Sequence, residues 1–120
     1  QVVAGAPEDF QVLAGSGSFL LPTLSVGGVG GVMALASVAP HELNEVVTSF
    51  ETGDLTKAKD IQVRLIAPNA AVTSGFGVAG LKAALDLIGM YGGVPRPPLL
   101  PLLPPQHEEL KRILGEAGLL

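Results

Sequence analysis

Three glycines, Gly75, Gly77 and Gly80, have the spacing G-x-G-x-x-G, which is typical of a loop that holds the phosphates of a dinucleotide. Such a loop needs a strand immediately before it and an acidic residue about 20 residues beyond it. Here the preceding segment, LIAPNAAVTS, continues a helical pattern, and residues 96–107 contain no acid. A P-loop is excluded as well, because Leu81 stands where that motif requires lysine. We therefore expect these glycines to let one helix end and another begin at close approach.

Two serines in the segment AGSGS, Ser16 and Ser18, could act as nucleophiles. A nucleophile elbow needs a glycine two residues before and two residues after the serine, and neither serine has that pair. The segment follows an apolar run that is typical of a buried parallel strand, and α/β folds bind ligands at the C-terminal ends of such strands. For Gly15, Ser16 and Gly17 two interpretations therefore remain open, contact with a substrate or a turn that serves only the backbone.

The other reactive side chains form no cluster. His41 and His107 are far apart in the sequence and lack metal-ligand spacing, so we expect both to be exposed and predict neither a metal site nor a bound cofactor. The chain has no cysteine, which excludes disulfides and thiolate ligands. The lysines all fall in predicted helices rather than at a strand end, where a barrel enzyme places an imine-forming lysine. They are Lys57, Lys59, Lys82 and Lys111.

The composition is unusual for a free-standing domain. Hydrophobic residues make up 48% of the 120 residues and charged residues 15%, against roughly 25% charged in typical soluble domains. We therefore expect a part of a larger structure or a subunit of a homo-oligomer. The net charge of −4 argues against a nucleic-acid partner, because binding phosphates requires clustered Lys and Arg.

One uncharged stretch, between Asp9 and Glu42, is long enough to span a bilayer. It contains Pro22, Pro40 and six glycines, and acids rather than basic residues flank it. We therefore predict no membrane segment. An intracellular location, in the cytoplasm or in mitochondria, is expected.

Two short apolar segments predict buried strands that a crossover helix connects. The first, FQVLAG at residues 10–15, ends at a glycine, and the second is expected over about residues 31–37, after a glycine-rich turn. Between them, residues 19–26 predict a helix with Pro22 in its first turn. A strand, crossover helix and strand form a right-handed β-α-β unit, so we expect the two strands to be parallel.

The rest of the chain predicts helices. One begins at Pro40, and its apolar face has the spacing i, i+3, i+4, i+7. Gly53 suits the end of this helix and Asp54 the N-cap of the next, on which Asp60 and Arg64 are expected to form an outward pair. The apolar faces of these two helices are Leu43, Val46, Val47 and Phe50, and Leu55, Ala58, Ile61, Leu65 and Ile66.

Further helices are expected over residues 78–88 and 106–117, with a proline-rich segment, 91–105, between them. That segment could be a polyproline ligand for a partner domain. Its many leucines favour a strap that packs over the protein's own helices, because leucines on a free arm would be exposed to water.

Two long segments resemble a known family: FQVLAGSGSFLLPTLSVGGVGGVMALASV, and RLIAPNAAVTSGFGVAGLKAALDLIGMYGG with the later PRPPLLPL and terminal EAGLL. The first is similar to the seventh strand, seventh helix and eighth strand of the dihydrodipicolinate synthase and N-acetylneuraminate lyase family of class I aldolases. The second is similar to that family's C-terminal helical extension. The portion APNAAVTSGFGVAGLK most resembles the 4-hydroxy-2-oxoglutarate aldolase branch.

This resemblance implies an α/β fold: the last β/α units of a (β/α)8 (TIM) barrel, with two parallel strands at residues 1–52, and a C-terminal helical extension at 53–120. Family members form an imine between a lysine and pyruvate or a related 2-oxo acid, and they make or break a carbon–carbon bond through the enamine. The resemblance places Gly15 beside the 2-oxo acid and Val32 against the pyruvate-derived carbons. Ser16 stands where the synthases often carry an acid, which favours the oxoglutarate-aldolase branch.

A whole barrel needs about 250 residues, so 120 residues cannot supply eight β/α units and an extension. The family's imine-forming lysine, proton-shuttling tyrosine and hydroxyl pair have no counterparts here, and we predict no catalytic residue in this chain and no imine in it alone. Our hypothesis is the C-terminal part of a class I aldolase of pyruvate-type 2-oxo acids. The alternative is a truncated, non-catalytic homologue that serves as an assembly or interaction module.

Overall fold

The computed structural model describes all 120 residues and is mostly helical. Two strands of two residues each, β1 (Leu13–Ala14) and β2 (Gly30–Gly31), form its only sheet. The α-helices are α1 (Val2–Gly5), α2 (Leu20–Ser25), α3 (Pro40–Glu51), α4 (Leu55–Arg64), α5 (Ile66–Ala70), α6 (Gly77–Leu87) and α7 (Pro104–Glu116). Turns of 3-10 helix lie at Gly17–Phe19 and Ala34–Ser37, and a π-helical turn lies at Ala71–Gly75.

The two strands pair in parallel, with Leu13 opposite Gly30 and Ala14 opposite Gly31. The ladder continues one residue further at its C-terminal end, where the amide of Val32 donates to the carbonyl oxygen of Ala14 at 2.8 Å. With α2 between them in the sequence, the strands form the predicted β-α-β unit, and the parallel prediction is confirmed.

The predicted extents of both strands are wrong. The first strand covers only Leu13–Ala14 of the predicted residues 10–15, and Phe10 and Leu13 are exposed rather than buried. Residues Ala34–Ser37 form a 3-10 turn instead of a strand. Past Ala14 the first strand gives way to a loop and a 3-10 turn, so the residues beyond Val32 have no neighbouring backbone with which to pair. They coil and place Leu35, which is fully buried, into the core.

Helices α3 and α4 follow the predicted pattern at their junction. Gly53 has φ +83°, a conformation that suits glycine, and the Asp54 carboxylate caps α4 by accepting from the amide of Lys57 at 3.1 Å. The predicted stripe of α4 is only partly buried, because Leu55 and Ile66 at its two ends are exposed.

The predicted pair of Asp60 and Arg64 is wrong. The guanidinium Nη1 of Arg64 donates to the carbonyl oxygen of Ala117 at 3.0 Å, while Asp60 lies beside Lys59. Ala117 is the C-cap of α7, where carbonyl groups lack partners within the helix and attract a cation.

The glycines of the G-x-G-x-x-G motif lie at a helix junction, as predicted. Helix α5 runs into the π-helical turn that ends at Gly75, and α6 begins at Gly77, whose φ is +58°. At Gly80 a Cβ atom would lie 2.6 Å from Cβ of Phe76 and 3.0 Å from the carbonyl oxygen of Ala71. No strand precedes the motif, so it lacks the context of a dinucleotide site.

The proline-rich segment is attached to α6 at its start. Gly92 is buried, its amide donates to the Asp86 carboxylate at 2.8 Å, and its carbonyl oxygen accepts from the Lys82 ammonium. The prediction of a strap over the protein's own helices holds only in part. Leu102 packs against the core, but three other leucines of the segment are exposed: Leu99, Leu100 and Leu103.

One hydrophobic core draws on both parts of the chain. Its buried side chains come from the segment before Gly53 and from the helices after it, so the division at 52/53 is not a division of the core and stays a prediction. Its fully buried leucines are Leu20, Leu35, Leu65, Leu110 and Leu114. None of the helices is long and apolar enough to cross a membrane.

Candidate functional site

Gly15 and Val32 lie next to each other at the C-terminal ends of the two parallel strands. Ala14 and Gly31 are the last paired residues, and Gly15 and Val32 are the next residue on each strand. Because side chains alternate along a strand, Leu13, Gly15 and Val32 share one face, opposite Ala14. Ala14 is buried against the helices, whereas Leu13 is 52% exposed and Val32 74% exposed.

The face that carries Leu13, Gly15, Gly30 and Val32, called the open face below, has no charged side chain, and all of its residues except Gly30 are exposed. Its exposed valine and leucine are of the kind that buries against further strands or against an apolar part of a ligand.

The loop after β1, Gly15–Ser18, is held by a buried asparagine from α5. Asn69 is only 3% exposed, and its Oδ1 accepts from the amide of Gly17 at 3.1 Å. Its Nδ2 donates to Ser16 Oγ at 3.1 Å and to Ser18 Oγ at 2.9 Å. One side chain from the C-terminal helices thus bonds to three successive residues of the loop.

A second buried amide, Gln62 of α4, holds the same loop from another direction. Its Nε2 donates to the carbonyl oxygen of Gly17 at 2.7 Å, and its Oε1 accepts from the amide of Leu21 at 2.9 Å. Leu21 is in the first turn of α2, where backbone amides have no partner within the helix. Gln62 therefore fixes the loop and caps α2 at once.

The contact between the loop and Asn69 leaves no room for a side chain. A Cβ atom on Gly17 would lie 2.8 Å from Asn69 Oδ1 and 3.0 Å from Leu35 Cδ2. Gly15 differs, because a Cβ atom there would have no heavy atom within 4 Å. Glycine is thus required at 17 for packing, while at 15 it leaves open space at the end of β1.

The backbone of Asn69 is fixed from both sides. Its amide donates to the carbonyl oxygen of Leu65, and its carbonyl oxygen accepts from Thr73 Oγ1 at 2.6 Å. Thr73 belongs to the π-helical turn, and such turns are frequent at functional sites.

The site contains hydroxyl and amide groups but no titratable side chain among the residues that form it. It can donate and accept hydrogen bonds and shape a pocket, but it has no group for proton transfer or nucleophilic attack at neutral pH. No group of three or more His, Asp or Glu side chains lies together as a metal site would require. His41 is exposed as predicted, whereas His107 is half-buried.

The clear pKa shifts lie elsewhere, on exposed helix surfaces. A hydrogen bond and the charge of Glu45, whose Oε1 is 2.7 Å from the ammonium, raise the pKa of Lys57. The hydrogen bond from Arg112 lowers the pKa of Glu109. All four lysines lie on helices α4, α6 and α7, and none on a strand.

The three predicted site residues, Gly15, Ser16 and Val32, lie together at the C-terminal end of the sheet. Sequence reasoning missed Gln62 and Asn69. A signal for both exists: they are seven residues apart, so they share one side of a continuous helical stretch, and each is a polar residue on an otherwise apolar side.

The family model that matches this chain, over residues 1–117, is that of the Dihydrodipicolinate synthetase family. A 4-hydroxy-tetrahydrodipicolinate synthase of Methanopyrus kandleri is 36% identical over 95% of this chain, which covers 38% of that relative. Among solved structures, a dihydrodipicolinate synthase of Bacillus anthracis has a TM-score of 0.89 at 26% identity, with 95% of this chain and 39% of that chain covered. One of Thermotoga maritima has a TM-score of 0.85 at 30% identity, with 93% and 38% covered.

The chain thus spans about two fifths of the length of these relatives. Its two parallel strands and helices superpose on the corresponding part of those enzymes. The predicted fold, the last β/α units of a (β/α)8 barrel with a helical extension, is confirmed.

Proposed function

Because the chain belongs to the dihydrodipicolinate synthetase family, we propose that it forms the C-terminal part of a Schiff-base aldolase that acts on pyruvate-type 2-oxo acids. The observation that carries this proposal is the open face of the sheet. Gly15 and Val32 lie together on that face at the C-terminal ends of parallel strands, which is where (β/α)8 barrels bind their substrates.

In the complete barrel, the amine of a lysine would attack the ketone of the 2-oxo acid and expel water to form an imine. Loss of a proton or cleavage of a carbon–carbon bond then gives an enamine, whose electron pair attacks an aldehyde or takes up a proton. The role of this chain is to bind and position. Gly15 leaves room beside the 2-oxo acid, Val32 packs against its carbons, and Ser16 offers a hydroxyl in place of a charge.

Ser16 supports an inference about the substrate branch. In the synthases that the chain resembles, this position often carries an acid, whereas this site has no acid. A neutral hydroxyl suits a substrate with two carboxylates better than a second negative charge would, because like charges repel at close range. We therefore infer 4-hydroxy-2-oxoglutarate or a similar 2-oxo diacid, ahead of the substrates of the synthases.

The nucleophile is proposed to lie outside these 120 residues. Lys57 is engaged with Glu45 and Lys82 with Gly92, and all four lysines project from helices rather than from the strand ends. The chain alone is therefore expected to form no imine.

A trapping experiment tests the proposal. The chain is coexpressed with the segment of the Methanopyrus kandleri relative that precedes its match, and the purified proteins are treated with pyruvate and borohydride. Mass spectrometry is expected to find one reduced pyruvate adduct on the added segment and none on this chain, and none on any lysine when this chain is treated alone. A stable pair without an adduct, or a stoichiometric adduct on this chain alone, contradicts the proposal.

The alternative, a non-catalytic homologue that serves as an assembly module, draws support from the exposed apolar side chains on the open face. It predicts a different result in the same experiment. The chain would then bind a second copy of itself in preference to the added segment, and size-exclusion chromatography with light scattering distinguishes the two products.

A further inference from the structure

The orientation of the Asn69 side chain determines which way two hydroxyl groups can donate. The oxygen and nitrogen of a side-chain amide are distinguished by their partners. The backbone amide of Gly17 can only donate, so the atom 3.1 Å from it must be the acceptor, Oδ1. Nδ2 therefore faces Ser16 and Ser18, and its two hydrogens are used on their Oγ atoms at 3.1 and 2.9 Å.

Both serine hydroxyls thus act as acceptors toward Asn69. Ser16 Oγ accepts a second time, from the amide of Ser18 at 3.4 Å. Neither hydroxyl donates to any acceptor of the protein, since every hydrogen bond in which these Oγ atoms take part has them as acceptors. Each hydroxyl therefore has a proton without an acceptor in the protein. Because a lone pair of each Oγ faces Asn69, these protons point away from Asn69.

Both serines lie in the loop that follows Gly15. Ser16 follows Gly15 directly at the end of β1, and both serines are half-buried rather than fully exposed. A half-buried hydroxyl whose proton has no partner is stabilised when it donates a hydrogen bond to an acceptor. Because both hydroxyls contact the same amide nitrogen, they are close enough to donate to one ligand group that carries several oxygen atoms, such as a carboxylate.

We propose that Asn69 is a positioning residue which holds Ser16 and Ser18 as a pair of hydroxyl donors for an acceptor oxygen of the bound 2-oxo acid. This inference rests on the proposed function and adds two residues, Ser18 and Asn69, to the site. It also gives the helical extension a part in substrate binding, because Asn69 lies on α5 and not on the barrel strands.

An isosteric change separates the donor role from a packing role. In Asn69→Asp one carboxylate oxygen still accepts from Gly17, but the other has no hydrogen, so the serine hydroxyls turn inward and donate to it. The loop keeps its shape and loses its outward donors. In the coexpressed pair, the 2-oxo acid concentration that gives half-maximal borohydride trapping is expected to rise on the order of tenfold, while the maximal trapped fraction stays the same.

The serine variants provide the internal check. Ser16→Ala and Ser18→Ala are each expected to raise the half-maximal concentration several-fold, and Ser16→Ala on top of Asn69→Asp is expected to add little, because the two changes remove the same interaction. A merely structural role predicts additive effects instead. Val46→Ala, which removes buried volume in α3 and none of the hydrogen bonds to the loop, controls for lost stability and should leave the half-maximal concentration unchanged.

Comparing pyruvate with 4-hydroxy-2-oxoglutarate identifies the acceptor oxygen. If Asn69→Asp raises the half-maximal concentration more for the diacid than for pyruvate, the two hydroxyls donate to the part of the diacid that pyruvate lacks. If it raises both equally, they donate to the pyruvate portion. An unchanged half-maximal concentration for both substrates in Asn69→Asp, Ser16→Ala and Ser18→Ala overturns the inference. Should Asn69→Asp yield no folded protein, the two serine variants decide it. Failure of the proposed function itself is seen separately, as the absence of any adduct in the unsubstituted pair.

Discussion

Replacing Gln62 with alanine tests whether the helical extension holds the loop after β1. The substitution removes the acceptor of the Leu21 amide and the donor to the Gly17 carbonyl oxygen. Gln62 is only 6% exposed, so water has little access to either group once the side chain is gone. Two backbone groups, one at the start of α2 and one in the loop, are left without partners.

The magnitude follows from that burial. Leaving a buried donor or acceptor without a partner costs about 1–3 kcal/mol. Since the Gly17 carbonyl is in the fully buried part of the loop and the Leu21 amide is half-buried, we expect the free energy of unfolding to fall by about 3 kcal/mol.

The chain contains a matched control in Gln106. Its Oε1 accepts from the amide of Leu103 at 2.8 Å at the start of α7, so it makes the same kind of bond to the same kind of group. That bond is exposed, and water can replace the side chain. Gln106→Ala is therefore expected to cost only about 0.5–1 kcal/mol.

Urea unfolding of the two variants, followed by circular dichroism, measures the difference. Gln62→Ala is expected to have a clearly lower urea midpoint than Gln106→Ala, with similar slopes of the free energy against urea concentration. Equal midpoints would refute the reasoning, because they would show that the loop and α2 do not depend on the buried amide.

Three further predictions concern other contacts. Gly17→Ala is expected to lower the free energy of unfolding by about 1–3 kcal/mol, because its Cβ would lie 2.8 Å from the buried amide oxygen of Asn69. Gly15→Ala has open space around its Cβ and should change the free energy of unfolding by less than about 0.5 kcal/mol. Thermal melts of the two variants measure the difference. Gly92→Ala is expected to detach the start of the proline-rich segment, since its Cβ would overlap a backbone carbonyl of α6, and limited proteolysis should then cut near residue 92 faster than in the unsubstituted chain. Arg112→Ala should return the pKa of Glu109 toward its ordinary value of 4.5. Because the folded state lowers this pKa, the ion pair stabilises the fold at pH values above the pKa of Glu109 in the unfolded chain, and the stabilisation is lost as the pH falls through the pKa in the folded chain. An NMR titration of the Glu109 carboxyl that shows no change of pKa in Arg112→Ala contradicts the assigned cause.

Features with strong local signals were predictable from the sequence. The cap at Asp54, the glycine at 53 and the start of α3 at Pro40 follow from residue types that act within one helical turn, and the structure has them where the pattern indicates. The parallel strand pair also followed, because a strand, crossover helix and strand have one preferred arrangement.

Features that depend on distant partners were not predictable from local pattern. Residues Ala34–Ser37 are apolar enough for a strand, but β1 ends at Ala14, so they have no neighbouring strand with which to pair. Arg64 has an acid four residues before it, yet it donates to a helix end 53 residues away. The bonds from Gln62 and Asn69 to the loop likewise join residues more than 40 positions apart.

A disulfide between the two strand ends tests the arrangement of the site most directly. The chain has no cysteine, so Gly15→Cys with Val32→Cys introduces a single pair. Neighbouring strands lie about 4.8 Å apart, within the range of about 4.4–6.8 Å between Cα atoms that a disulfide spans. The control is the double variant Gly15→Cys with Val29→Cys. Its two cysteines would face each other only if the strands ran in opposite directions.

Mild oxidation is expected to close the bond between positions 15 and 32 within one chain and to leave the pair at 15 and 29 as free thiols. Thiol alkylation followed by mass spectrometry reads both outcomes. Closure between 15 and 29 with free thiols at 15 and 32 would contradict the parallel strand ends, and with them the site built on Gly15 and Val32.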